Sequence, residues 1–151
     1  MTDRDHRHDT DRDRRHVTLE RLETGVYRAT NPHGAALTFG SLMEGGFSPV
    51  ELLLAAIGGC TAVDVDVVTS RRATPERFEI DIDAEKLETD RGNLLRDIEV
   101  TFRVRFPEGA DGDKARDRLP RAVEHSHDRT CTVSRTIEAG TPVTARISDG
   151  D

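Results

Sequence analysis

Hydrophobic and polar residues divide this chain into stretches of different period. Residues 1 to about 15 (MTDRDHRHDTDRDRR) hold no apolar residue after Met1. Such a stretch buries too little surface to offset its ordering entropy, so a disordered charged tail is expected, its histidines solvated. From Val17 to Phe39 short apolar runs are broken by turn residues. Val17 and Leu19 alternate with polar neighbours, Gly25 interrupts, and Val26 and Tyr27 resume. Asn31-Pro32-His33-Gly34 has turn composition, with proline fixing φ and glycine free to take φ > 0. Ala36 to Phe39 reads as the returning strand, which predicts a small antiparallel meander.

A long apolar segment follows, SPVELLLAAIGGCTAVDVDVV from Ser48 to Val68. Ser48, Pro49 and Glu51 form a capping box with proline at the first helical position, so a helix starts here. From Leu52 to Ile57 it is apolar on every side, which predicts burial all round. Val63 to Val68 alternates with period two and alone would read as a strand. No turn residue separates it from the helix, and Arg71, Arg72 and Pro75 supply a later stop, so the helix is expected to continue. Gly58 and Gly59 cost about 1 kcal/mol each against alanine inside a helix. That cost predicts the close approach of another backbone, such as a second helix crossing in a dimer.

Beyond Pro75, Phe78, Ile80, Ile82 and Ala84 alternate with acidic residues, and Asp90-Arg91-Gly92-Asn93 is a turn. Ile98, Val100, Phe102, Val104 and Phe106 then alternate in the same way, so two antiparallel strands with one wet face are expected. Pro107 to Gly112 reads as a loop. Asp113 caps a second helix to about His127, with Ala115, Leu119, Ala122 and Val123 inward and Pro120 as a kink. Val143, Ala145 and Ile147 read as a last strand, before a polar tail at 148–151. One α+β domain over 16–147 is the expected organisation.

Composition changes this picture in one respect. Hydrophobic residues are 34% of the chain, no more than the charged ones, and aromatics only 4%. A core that lean predicts apolar surface shared with a second subunit. The net charge of −7 disfavours nucleic acid and anionic membranes as partners. No signal peptide is read at the start, and no stretch approaches the roughly 20 apolar residues that cross a bilayer, so a cytoplasmic protein is expected. In that reducing compartment two cysteines are more often catalytic, metal-binding or incidental than a permanent cross-link.

Cys60 and Cys131 are those two. Neither belongs to a CxxC pair, which excludes a thioredoxin motif and a four-cysteine zinc site. A buried cysteine is by default an inert small hydrophobe. Against that, Gly58-Gly59-Cys60-Thr61 strips bulk from around one sulfur, and His125-Ser126-His127 brings titratable groups toward the other. A metal held by His125, His127 and Cys131 is a weaker alternative.

The run SPVELLLAAIGGCTAVDV resembles the central-helix signature of the OsmC/Ohr superfamily, a Ser-Pro start with a cysteine about three turns later. Cys131-Thr132-Val133-Ser134-Arg135-Thr136-Ile137 resembles that family's second-cysteine motif. The resemblance spans about Val17 to Ile147. It implies an OsmC-like fold, antiparallel sheets wrapped around long buried central helices in an intertwined homodimer. It also implies a peroxiredoxin-like hydroperoxide reductase that needs neither metal nor bound cofactor. Cys60 would become a sulfenic acid on reducing an organic hydroperoxide or hydrogen peroxide, and Cys131 would close a disulfide with it. A dithiol reductant, often a lipoylated protein, would reset the pair. The family's activating cation is a strand arginine oriented by a glutamate, and Arg28 matches that position. The glutamate directly follows the proline in the family's peroxidases. Here Val50 stands there and Glu51 comes one residue later. At about 100° per residue Glu51 faces away from Cys60 on one helix, so capping is its expected task, with orientation of an arginine across the dimer as the alternative. The same fold also admits a non-catalytic small-molecule binder or redox sensor, or a structural dimer with incidental cysteines.

Overall fold

A computed structural model describes residues 14–148. Most of the expected N-terminal tail and all but Ser148 of the C-terminal one lie outside the described residues. The chain gathers into two compact units, one through Leu52 and one from Leu53. The first holds an antiparallel sheet and the second antiparallel strands with helices, as expected for an α+β protein.

The first unit is the meander. Strands β1 (Thr18–Glu23), β2 (Val26–Thr30) and β3 (Ala36–Phe39) form one antiparallel sheet in the order β1-β2-β3. The β2–β3 turn closes because the Asn31 carboxamide accepts the N–H groups of His33 and Ala35, each at 3.0 Å, while Gly34 takes φ 86°. Val26 and Phe39 are its buried apolar residues, and Tyr27 tilts against Phe39 with ring centroids 6.1 Å apart.

Helix α1, Pro49–Thr69, starts from the predicted capping box. The Ser48 N–H donates to the Glu51 carboxylate at 2.8 Å, and the Glu51 N–H donates to Ser48 Oγ at 3.2 Å. The alternating segment at 63–68 is helical, as its lack of a turn residue implied. The helix stops at Thr69, so Arg71 and Arg72 fall in the turn beyond it.

Two expectations about α1 are corrected. Burial is confined to a stripe of Ile57, Gly58, Thr61, Val65 and Thr69, the i, i+4 row of one helix face. Leu52, Leu54, Cys60, Ala62 and Asp64 are half-buried, and the opposite face stays open, with Val50 at 50%, Val63 at 63% and Val67 at 53% exposed. An all-round apolar helix shows how much surface is available for burial, whereas one chain covers only the face it can reach. The helix is also long and apolar enough to cross a membrane, at 21 residues with a mean hydropathy of 1.7 over its best window. Counting unbroken apolar runs missed this because alanine and threonine dilute the run without making it polar. Its second half nevertheless carries Asp64 and Asp66, and Asp64 is hydrogen-bonded within its own unit.

The second unit adds a long two-stranded ribbon, β4 (Arg77–Thr89) with β5 (Gly92–Arg105). Phe78, Ile80 and Ile82 pair with Val104, Phe102 and Val100, so one face of the ribbon is apolar. The register shifts between Asp83 and Glu85, opposite Asp97, which takes φ 51°. A short polar side chain tolerates that left-handed geometry better than most. A Cβ on Gly58 would overlap the Ile82 side chain, so this glycine lets α1 approach the chain's own ribbon. The close approach predicted for the glycine pair is therefore a helix–ribbon contact at Gly58, and Gly59 has open space before it.

Helix α2 spans Ala110–His125 with Gly109, at φ 112°, before it. It begins ahead of Asp113, which lies in the first turn and accepts from Arg116, so the expected loop to Gly112 is shorter. Ala115 and Ala122 face inward as predicted, and Pro120 lies within the helix. A π-helical turn, Ser126–Thr130, and a short helix α3, Thr132–Glu138, complete the unit. The last predicted strand does not form. Residues 141–148 have no regular structure, with Val143 94% and Ile147 98% exposed. Alternation marks a segment able to pair, but a strand also needs a free edge to pair with.

Candidate active site

Cys60 lies near the middle of α1, where the backbone N–H groups around it are engaged in the helix. Cys131 lies where the π-helical turn ends and α3 begins. Its N–H closes the turn onto the Ser126 carbonyl at 2.8 Å. The extended backbone there, φ −72° and ψ 94°, turns its side chain to cap α3.

What docks that turn onto α1 is Asp64. Its Oδ2 accepts from the hydroxyls of Ser126 and Thr130, both at 2.7 Å. Asp64 stands one helical turn beyond Cys60, on the same side of α1. One carboxylate thus ties down both ends of the segment that delivers Cys131. Hydrogen bonds to an ionised acceptor are roughly twice as strong as neutral ones. Within His125-Ser126-His127 the residue that reaches the site is the buried Ser126, while both histidines are exposed. His127 faces Glu138 at 3.4 Å.

The two thiols adjoin, each acting on the ionisation of the other, and neither is in a disulfide. Their surroundings differ. Cys60 is partly exposed, whereas Cys131 has no exposed surface. Burial pushes the Cys60 thiol up. The Val133 backbone opposes this, while the neighbouring Cys131 and the Asp64 carboxylate reinforce it. Burial also works against the Cys131 thiolate, but hydrogen bonds from Ser134, Thr61 and Cys60 outweigh it and bring that thiol below its ordinary value. The Thr61 hydroxyl donates to Cys131 Sγ at 3.5 Å, and so does the Ser134 N–H at 3.5 Å. The Ser134 hydroxyl lies 3.2 Å from the same sulfur.

Thr61 and Ser134 also line a cavity of about 360 Å³. Ile57 of α1, Ile98, Val100 and Phe102 of β5, Val123 of α2 and Ile137 of α3 make its wall apolar, with Glu99, His127 and Glu138 as the charged or titratable members. The alternation of β5 placed those three strand residues on one face, so this wall was legible in sequence. The polar residues at the sulfurs were less so. Asp64, Ser126, Thr130 and Ser134 were not singled out. The available signal was an acid inside an apolar helix, one turn from a cysteine.

Of the other predicted site residues, Glu51 is engaged in its capping box and Arg28 lies in the first unit. There Arg28 stands opposite Glu20 in the ladder, with an ion pair at 3.8 Å and its side chain 47% exposed. Among the described residues no three His, Cys, Asp or Glu side chains gather to hold a metal ion.

The family model that matches this sequence is that of the OsmC-like proteins, over residues 42–146. No curated protein matches it. Among solved structures, a hypothetical protein of Aquifex aeolicus VF5 is 26% identical, with a TM-score of 0.67 over 85% of this chain and 90% of its own. An OsmC-like protein of unknown function from Vibrio cholerae shares the fold at 11% identity, with a TM-score of 0.67 over 83% and 94%. A Legionella pneumophila protein described as an organic hydroperoxide resistance protein is 14% identical, with a TM-score of 0.53 over 81% and 88%.

Proposed function

Since this chain belongs to the OsmC-like family, we propose that it is a cysteine-based thiol peroxidase that acts on organic hydroperoxides. One observation carries the reading: two cysteines remote in sequence are brought thiol to thiol beside an apolar cavity. In this reading the more accessible Cys60 attacks the O–O bond, an alcohol leaves, and Cys60 becomes a sulfenic acid. Cys131 then displaces water from that sulfur to close a disulfide, and an external dithiol such as a lipoylated protein reduces it. The apolar wall favours an organic hydroperoxide over hydrogen peroxide, because an alkyl group gains from burial there and a hydroxyl does not. The Legionella protein's description agrees with this, although at 14% identity the likeness supports the fold alone.

The working unit of this proposal is a homodimer in the cytoplasm. The exposed apolar face of α1, including Val50, Leu53, Val63 and Val67, is surface a second copy would cover. Arg28 enters as the proposed cation for the thiolate and Glu51 as a residue that orients it from its capping position. A second reading, a redox sensor that is oxidised once and signals, is favoured by the upward shift of the Cys60 thiol, since a mostly protonated sulfur turns over slowly.

The test is steady-state consumption of cumene hydroperoxide and of hydrogen peroxide, with a lipoyl dithiol and with thioredoxin as reductants. Turnover with the organic peroxide and the lipoyl dithiol is expected. A single stoichiometric oxidation without turnover would leave the sensor. No reaction at either cysteine would end both readings.

A further inference from the structure

The π-helical turn that Asp64 fastens is the segment that brings the second thiol to the first. We propose that Asp64 is a positioning residue: by holding the hydroxyls of Ser126 and Thr130 it keeps Cys131 docked beside Cys60, so that the disulfide closes before a second oxidant reaches the Cys60 sulfur. Protection from that second oxidation rests on the peroxidase reading, while the effect of docking on disulfide closure stands without it.

The turn and α3 are tied into one body by contacts of their own. The Cys131 N–H donates to the Ser126 carbonyl at 2.8 Å, the Arg135 guanidinium donates to the Asp128 carbonyl at 2.7 Å, and His127 faces Glu138 at 3.4 Å. Those contacts fix the shape of this body but not its place against α1. Among the described residues three hydrogen bonds join α1 to it. Two are the 2.7 Å bonds that Asp64 Oδ2 accepts from Ser126 and Thr130, the first and last residues of the π-helical turn. The third runs from the Thr61 hydroxyl to Cys131 Sγ at 3.5 Å, and that hydroxyl also lies 3.4 Å from the Ile57 carbonyl. A long bond to a sulfur, from a proton shared with a carbonyl, is the weakest of the three, whereas short bonds to a carboxylate are strong. Docking therefore falls mainly on Asp64.

Nothing nearby competes for this carboxylate. Arg118, Arg121 and His125 line the same groove as Asp64, yet among the described residues none of them pairs with it. Ser126 is 1% exposed, so water does not compete for its hydroxyl. Gripping both ends of the turn fixes orientation as well as distance, and Cys131 follows directly after the gripped Thr130. Closure between docked thiols is intramolecular, and its rate follows the fraction of molecules that are docked. In the peroxide reaction the Cys60 sulfenic acid then has two fates. Cys131 attacks its sulfur, the S–S bond forms, the S–O bond breaks, and the hydroxyl leaves as water with the thiol proton. Alternatively a second hydroperoxide transfers its terminal oxygen to that sulfur, giving a sulfinic acid and an alcohol, a change that thiols do not reverse. The first rate is independent of peroxide and the second rises with it. A turn that spends less time docked shifts the outcome toward sulfinic acid.

The experiment measures closure with glutathione, which requires no peroxidase activity. The full chain is equilibrated with reduced and oxidised glutathione, and the fraction of Cys60–Cys131 disulfide is read by alkylation and mass spectrometry. Oxidised glutathione forms a mixed disulfide with Cys60 and releases one glutathione, and Cys131 displaces the second as the pair closes. The equilibrium reads the effective concentration of one thiol at the other. Asp64→Ala is expected to lower it about tenfold, and Ser126→Ala and Thr130→Val about threefold each. Thr130→Ser, which keeps the hydroxyl, should hold the unaltered value. Adding Ser126→Ala to Asp64→Ala should lower it no further, because both remove the same contact. A role in stability alone would lower the denaturation midpoint of the reduced chain and leave the glutathione equilibrium where it is. Under excess cumene hydroperoxide, Asp64→Ala should accumulate Cys60 sulfinic acid at a concentration where the unaltered chain stops at the disulfide. Circular dichroism excludes any variant that has unfolded, and Thr130→Val against Thr130→Ser decides if Asp64→Ala is lost. An unchanged glutathione equilibrium in folded Asp64→Ala overturns the proposal, and equal yields of sulfinic acid overturn its protective half. If the equilibrium falls and the unaltered chain consumes no peroxide, the positioning role stands and the peroxidase reading fails. If peroxide is consumed and the equilibrium does not move, the reverse holds.

Discussion

Cys60 and Cys131 are the same side chain in one neighbourhood, yet their surroundings push their thiols in opposite directions. The difference lies in the backbone that carries each. α1 is regular around Cys60, and its N–H groups have no capacity left for a sulfur. Cys131 sits where a π-helical turn gives way to α3, so the Ser134 N–H is free to donate to its sulfur and the Ser134 hydroxyl accepts from it. A regular element offers a thiol burial and little else, whereas an irregular junction offers donors. Burial works against both thiolates, so the hydrogen-bond partners separate the two.

The largest expected effect separates the two directly. Cys60→Ser should reduce peroxide turnover to background, whereas Cys131→Ser should still allow one oxidation and leave a sulfenic acid that a dimedone-type reagent traps. The pH dependence sharpens this. In the unaltered protein the initial oxidation rate should rise with pH only above the ordinary thiol range, because burial pushes the attacking Cys60 thiol up. In Cys131→Ser that rise should move to lower pH, because the neighbouring thiol that reinforces the upward shift is gone. Coincident pH profiles would erase the contrast between the sulfurs.

Arg28→Ala comes next. In the proposed site this guanidinium would lower the cost of negative charge on the pair. Its removal should therefore slow turnover at neutral pH by about tenfold, with thermal stability little changed. An unchanged rate would return Arg28 to its ion pair with Glu20 as a surface contact.

Asp64→Asn should pull the two sulfurs apart in behaviour. Losing the charge weakens both hydrogen bonds that dock the π-helical turn, at a cost of about 1–3 kcal/mol on denaturation, and should slow disulfide closure. The same change removes a carboxylate that disfavours the Cys60 thiolate, so alkylation of Cys60 at neutral pH should become faster. If closure and alkylation move together, Asp64 acts through general loosening instead.

The smallest effect is a control. Ser48→Ala removes one half of the capping box, remote in sequence from both cysteines, and should cost about 1 kcal/mol in chemical denaturation while leaving turnover unchanged.

The sequence by itself determined the elements whose causes are local. The Ser48–Glu51 box set the start of α1, and the absence of a turn residue carried that helix through the alternating stretch at 63–68. Period-two alternation placed Phe78, Ile80 and Ile82 opposite Val104, Phe102 and Val100. It also pointed to both cysteines, through motifs that each lie within a short run of residues. What only the tertiary structure decided was everything that depends on a remote partner. Val143 and Ile147 alternate as a strand would, but without an edge to pair with they stay exposed. Asp64 reads as one acid among apolar residues until the turn at Ser126–Thr130 folds onto it. Thr61 and Ser134 are ordinary hydroxyl residues until Cys131 comes to lie between them. Helix caps and strand periods are written over a few residues, because the groups that satisfy them are neighbours along the chain. The ionisation of a buried sulfur is set by donors from elements far apart in sequence, and only folding brings those within hydrogen-bond reach.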